Sequence, residues 1–173
     1  TIPAFAQGSE PAPAAPAGAA AGAGVSLAFS GDFVVCADNA KFIMAFVNLG
    51  LVPDTGGTYL FVKSLGIQKA MELCVTGRPM KAQEAKDAGM VYDVVPAEEL
   101  DDTVMKLAKK FASGPLLSYK NIKKQIYQAG LADYKKYLDE CEIPTQRECA
   151  ASSDFIEGVK AFMEKRKAEF KGE

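Results

Sequence analysis

The chain has 173 residues, a formal net charge of −2, no histidine and an apolar content of 49%. That length is enough for one domain with a buried core, and the charge offers no basic surface for nucleic acid. With no histidine in the chain, Ser-His-Asp and Cys-His machinery and His-ligated zinc are excluded within it.

Proton transfer is left to carboxylates, Lys, Tyr or Cys. The cysteines, Cys36, Cys74, Cys141 and Cys149, form no C-x-x-C pair, so reduced thiols are expected, with no metal site. No apolar run is long enough to span a bilayer. Residues 1–24 lack the basic start and leucine-rich core of a secretory leader, and the expectation is a cytoplasmic protein with no membrane or nucleic-acid partner.

In chain order, residues 1–10 carry little that could build a core. Pro11, Pro13 and Pro16 alternate with alanines, and the stretch through residue 21 reads as an extended linker. The prolines argue against a central strand there. Gly22 to Ser30 reads as a short buried helix ended by Gly31-Asp32. Phe33 to Ala37 is a buried strand, Asp38-Asn39 a turn, Lys41 to Ala45 a second strand, and Phe46 to Asp54 a loop punctuated by Gly50 and Pro53. Thr55 is the expected cap of a helix over 57–64, with Gly66 its stop. Further helices follow over Ile67–Val75 and Lys81–Ala88, then a strand from Met90 to Val95.

From Pro96 onward the pattern is helical. Helices are expected over Ala97–Ala112, over Leu116–Gln128, and from Leu131 to about Ala151 with a kink or break at Pro144. A last one, capped by Ser153-Asp154, is expected to run to about Phe170. The chain thus divides into a poorly defined segment over 1–10, an α/β core over 11–96 and a helical region over 97–173.

Two stretches carry chemistry. Gly22-Ala23-Gly24, opening a helix, has almost no side chain in the way of its backbone. Helix-start N–H groups lack partners within the helix and suit an oxyanion. The same glycines also suit close helix packing, and they fit neither G-x-G-x-x-G nor a P-loop. The second stretch, Leu51 to Thr58, sets the lone carboxylate of Asp54 between Pro53 and Gly56-Gly57. Asp54 reads either as an exposed turn residue or as an acid–base group. Ser26 and Ser30 have no histidine to activate them. Lys165-Arg166-Lys167 is either a solvated helix face or a phosphate contact.

Several runs together resemble the enoyl-CoA hydratase/isomerase (crotonase) superfamily. They are Gly18-x-x-x-Gly22-x-Gly24-x-x-Leu27-Ala28, Leu49-Gly50-Leu51-Val52-Pro53-Asp54-Thr55-Gly56-Gly57-Thr58, Thr76-Gly77-Arg78 with Ala82-x-x-Ala85-x-x-Ala88-Gly89-Met90-Val91, and Asp154-Phe155-x-Glu157-Gly158-x-x-Ala161-Phe162-x-Glu164-Lys165-Arg166. The resemblance covers about residues 11–173 in one order. It implies a spiral of β-β-α turns followed by helices, a homotrimer or homohexamer, and an acyl-CoA thioester whose enolate is held by two backbone N–H groups. It assigns one of those donors to Ala23 and substrate or CoA contacts to Gly22, Phe46, Phe162 and Lys165. Coenzyme A belongs to the substrate, and no separate cofactor or metal is implied.

Ser26 and Phe46 stand where the family's hydratases carry their two glutamates. Asp54 stands where isomerases of the 1,2-epoxyphenylacetyl-CoA kind carry an aspartate. The function implied is an enoyl-CoA or epoxyphenylacetyl-CoA-type isomerase with Asp54 as acid–base. Hydratase and hydrolase activities rank below it. The family's earlier spiral turns, its adenine-binding loop and the second oxyanion donor have no counterpart in this sequence. That implies a fragment or a truncated natural form. A chain that is whole would instead suit a catalytically incomplete subunit with a binding or assembly role.

Overall fold

The computed structural model describes residues 13–14 and 16–172. Its α/β half alternates between two three-stranded sheets. Strand β1 (Pro13–Ala14) enters one sheet and β2 (Ala19–Ala21) the other, followed by helix α1 (Ala23–Phe29). The next turn repeats the pattern: β3 (Phe33–Ala37), β4 (Lys41–Ile43), a 3₁₀ turn at Ala45–Leu49, then α2 (Gly57–Thr76). Strand β5 (Met80–Lys81), α3 (Ala82–Asp87) and β6 (Asp93–Val95) complete the half. The first sheet has the order β1-β3-β6, all parallel; the second is β2-β4-β5, with β5 antiparallel to β4. Successive turns therefore stack strand on strand, as the expected β-β-α spiral requires.

Hydrophobic pattern explains the layering. Val34, Val35, Cys36 and Ala37 are buried in succession because β3 is the middle strand, covered on both faces. Burial pushes the Cys36 thiol up to about 11, so it is inert. Phe42, Phe61, Met44, Leu73 and Met80 are the largest of the other fully buried side chains. Phe29 lies against Phe42 with ring centroids 4.6 Å apart. Gly66, at φ 76° and ψ 168°, breaks the helical path of α2, so the two expected helices are both present. A 3₁₀ turn at Ala97–Glu99 leads into α4 (Leu100–Ala112). That helix buries Leu100 against Val35 and Ala37, with Val104 and Leu107 beside it.

The remaining helices are held more by specific contacts than by burial. Helix α5 (Leu116–Gly130) has no buried residue. It is tied down by Lys123, whose Nζ lies 2.6 Å from Asp32, and by Tyr127, whose hydroxyl donates to Asp32 at 3.0 Å. Helix α6 (Tyr134–Tyr137) runs through a π turn, Leu138–Glu142, into α7 (Ile143–Ala150). Pro144 neither ends nor breaks this segment. It sits in the first turn of α7, and the wider π turn before it accommodates its missing N–H and its ring. Helix α8 (Ser153–Met163) docks on the 3₁₀ turn.

The structure corrects several expectations. Ala19–Ala21 is not linker but a strand in register with Lys41–Ile43. The proline stretch does contribute a strand at Pro13–Ala14. Among the described residues it lies at a sheet edge, and Pro16 joins only through its carbonyl, which accepts from Ala37 N–H at 3.2 Å. Strand β4 stops at Ile43 instead of Ala45, because the chain turns into the 3₁₀ segment. Strand β6 is shorter than Met90–Val95. The last helix is capped by Ser152, whose Oγ accepts from Phe155 N–H, and ends at Met163 instead of near Phe170. Lys165 turns left-handed there (φ 54°), and the tail folds back so that Lys171 and Gly172 N–H groups donate to the Asp154 carboxylate. The expectation for residues 1–10 lies outside the described residues.

Gly158 decides how closely α8 approaches. A Cβ there would sit 2.7 Å from the backbone of Leu49, which has no flexible end to move away. Alanine would gain up to ~1 kcal/mol of helix propensity, but overpacking costs about 1–3 kcal/mol. Gly158→Ala is expected to be destabilising, with a lower urea midpoint. A variant as stable as the parent would show that α8 does not pack this tightly.

Candidate active site

The site is built where α1, the loop before α2 and the start of α7 meet. Gly22 precedes α1 with φ 56° and ψ −129°, a conformation that only glycine adopts cheaply. Its N–H donates to Ile43 carbonyl at 2.9 Å, which locks the helix start to the end of β4. Ala23 is then the first helical residue and is exposed. No acceptor for its N–H exists among the described residues. The ring of Phe46, itself buried, lies under Gly22, 3.7 Å from where a Cβ would project. The Gly22-Ala23 backbone therefore rests on an aromatic floor with its outer side open.

Asp54 is tied to this helix by Ser26, one turn further along α1. Ser26 is buried, and its hydroxyl donates to the Asp54 carbonyl at 3.2 Å. Gly57 makes that closeness possible, since a Cβ there would fall 2.6 Å from Ser26 Oγ and 2.8 Å from Met44 Cε. The Asp54 carboxylate is half-buried and receives one donor on each oxygen. Thr55 Oγ1 donates to Oδ1 at 3.2 Å, and Gln146 Nε2 donates to Oδ2 at 3.4 Å. Thr55 therefore does not cap α2. It is held left-handed at φ 52°, a strained state for a β-branched residue, with its hydroxyl turned to Asp54.

The cap of α2 comes from far along the chain. Gly56 N–H donates to both carboxylate oxygens of Glu142, at 3.0 and 2.9 Å. Gly56 is left-handed, and a Cβ there would fall 1.7 Å from the Tyr134 hydroxyl oxygen, so no other residue fits. Glu142 is 5% exposed. Burial raises its pKa above the ordinary 4.5, the Gly56 bond opposes that shift, and the nearby Asp54 charge adds to it. Burial, and then the Glu142 charge, raise the Tyr134 phenol.

The structure thus sets Gly22 against Phe46 and ties Asp54, through its backbone carbonyl, to the helix that Ala23 opens. Phe162 and Lys165 lie at the far end of α8. Phe162 is 76% exposed, and no hydrogen bond or ion pair joins either residue to the other four among the described residues. Sequence reasoning missed Glu142 and Gln146, which read there as ordinary helix positions. A four-residue spacing that sets two polar groups on one helix face was the only available signal. No group of residues that could hold a metal exists among the described residues, and no helix there is long and apolar enough to cross a membrane.

A family model described as enoyl-CoA hydratase/isomerase matches residues 4–173. The 1,2-epoxyphenylacetyl-CoA isomerase of Escherichia coli is 43% identical over 155 residues, covering 90% of this chain and 59% of that protein. The trans-2-decenoyl-[acyl-carrier-protein] isomerase of Streptococcus mutans is 39% identical, with the same 90% and 59% coverage. The chain therefore spans less than two thirds of the length of these curated relatives. Among solved structures, an enoyl-CoA hydratase from Mycobacterium avium subsp. paratuberculosis superposes with a TM-score of 0.93 at 34% identity, covering 98% of this chain and 69% of that one.

The raised Glu142 pKa has a consequence for stability. The folded chain binds this proton more tightly than the unfolded chain, so the group's contribution is full below 4.5 and is lost as pH rises through the folded value. Glu142→Gln keeps an acceptor for Gly56 N–H and removes the titration. Urea unfolding of parent and variant is expected to diverge in the variant's favour as pH rises from about 4 to about 7. A pH-independent difference would show that Glu142 titrates alike in the folded and unfolded states.

Proposed function

The chain belongs to the enoyl-CoA hydratase/isomerase family, and from that premise we propose that it carries the enolate-stabilising and acid–base parts of an acyl-CoA isomerase. Asp54 carboxylate takes a proton from the carbon next to the thioester of a 3-enoyl substrate. The C–H bond breaks, and its electron pair moves onto the thioester oxygen as a dienolate. The proton returns to the far end of the former double bond, leaving the conjugated 2-enoyl thioester, with no other reactant consumed. Ala23 N–H, at the positive end of α1, donates to the oxygen as its charge develops.

The observation that carries this reading is that Asp54, whose carboxylate accepts from two polar side chains, is bonded through its backbone to the helix that Ala23 opens. The Ser26 bond to Asp54 carbonyl holds the two together. Hydration uses a second acid–base group, and the positions that the family resemblance pairs for it hold Ser26 and Phe46. Ser26 donates to that carbonyl, Phe46 is apolar, and Glu142 is buried at 5% exposure against Gly56 N–H. The names of the two isomerase relatives favour the same choice. Epoxyphenylacetyl-CoA is the other substrate that the reading admits. Gly22 and Phe46 line the acyl end. Phe162 and Lys165 take the nucleotide end of coenzyme A in a homotrimer or homohexamer working in the cytoplasm. The exposed apolar stripe of Ile67, Met71 and Val75 on α2 suits such assembly.

The test uses the native polypeptide that carries this sequence, with a 3-enoyl-CoA as substrate and the absorbance of the conjugated product as readout. Asp54→Asn is expected to lower turnover by about 10²–10⁴-fold. Near-normal turnover would overturn the assignment. A separate variant, Ala23→Pro, removes the proposed donor at a first helical position that tolerates proline. A fall in kcat of about 10²–10³-fold is expected, and an unchanged kcat would remove Ala23 from the mechanism. Hydration of a 2-enoyl-CoA outpacing isomerisation would favour the hydratase alternative. A native chain inactive on all these thioesters would favour a binding or assembly subunit.

A further inference from the structure

We propose that Gln146 is a positioning residue for Asp54, setting the carboxylate's orientation from the other side of the site. The inference rests on the reading of Asp54 as acid–base. It goes beyond that reading by assigning a role to a side chain 92 positions away in the sequence.

Three observations carry it. Gln146 Nε2 donates to Asp54 Oδ2, whereas Oδ1 is held by Thr55. Thr55 is exposed and adjacent in sequence, so it moves with Asp54; Gln146 supplies a reference point fixed to another element. Second, that element is anchored. Glu142 lies four residues before Gln146 on the same helical face, and its buried carboxylate grips Gly56, two residues after Asp54. The Asp54-Thr55-Gly56 segment is therefore held at both ends by one face of one helical segment.

Third, Gln146 carries an energetic cost. Its Oε1 is buried and has no hydrogen-bond partner among the described residues. A buried unpaired amide oxygen is unfavourable, and an apolar side chain of the same length would avoid the loss. The amide is accounted for by what its other end does, which is to donate to Asp54.

Such a donor constrains the torsion of the carboxylate and directs Oδ1 and Oδ2 to defined places. A base that moves a proton between two carbons of one chain must reach both without leaving its plane. An Asp54 free to rotate would still bind substrate but would sample the productive orientation less often. The loss therefore falls on kcat and not on KM.

The test is a double-mutant cycle in the native polypeptide with a 3-enoyl-CoA substrate. Gln146→Met, which keeps the volume and removes the donor, is expected to lower kcat about 10-fold with KM within about twofold. In an Asp54→Asn background the same change is expected to have no further effect, because Gln146 acts only through Asp54. A Gln146→Met enzyme with unchanged kcat, alongside a crippled Asp54→Asn enzyme, overturns this inference and leaves the function reading standing. Equal fractional losses in both backgrounds also overturn it, since they report a general structural role. An active Asp54→Asn enzyme overturns the function reading first. Should Gln146→Met unfold, Gln146→Asn withdraws the amide by one methylene and gives the same readout.

Discussion

The site depends on a single backbone N–H. Gly56 opens α2, and an opening turn leaves donors that the helix itself cannot satisfy. The partner arrives from 86 residues downstream as the buried carboxylate of Glu142. That contact fixes where the helical back half meets the α/β half, and it does so two residues from Asp54. The requirement for glycine at 56, the left-handed strain at Thr55 and the small residue at 57 all follow from bringing three chain segments into one small space. Removing the carboxylate would leave the α2 start without a cap and the Asp54 segment without its outer support.

Two kinds of interaction share the work of the fold. The front half is held by apolar stacking around β3 and β4, where few polar groups intervene. The back half uses polar attachments: Lys123 and Tyr127 on Asp32, Tyr59 on Asp133 at 2.5 Å, and Glu142 on Gly56. Polar contacts of this kind are directional. They give the helices α5 to α7 a defined seat that sliding apolar faces would not.

Much of this was legible in the sequence where the determinants are local. Phe33–Ala37 is a strand of the expected length because a run of apolar, partly β-branched residues between turn signals has few alternatives. Gly66 marks the break in α2 because a left-handed glycine ends a helical path. The Gly22-Ala23 helix start and the Asp54 loop stand out in the sequence, since glycines and a lone carboxylate contrast with apolar surroundings. What escaped was non-local. Ala19–Ala21 has no strand propensity of its own and becomes one only because Lys41–Ile43 offers it a ladder. Thr55 was read as a cap, whereas the cap comes from Glu142, a residue that nothing nearby in sequence connects to Gly56. The last helix ends early at a left-handed Lys165, beyond which Arg166 turns back onto Glu157 and Glu164.

The polar seating of the back half also sets an order of events. Helices α5 and α7 bury no residue fully, so opening them exposes little apolar surface and costs less than opening the sheets. Yet α7 supplies the outer wall of the Asp54 segment. Partial opening of this helix would dissolve the site while the stacked strands stay intact. Loss of the site is therefore expected at milder conditions than loss of the fold. The helical region thus acts as a latch whose local stability, more than that of the core, governs how long the assembled site persists.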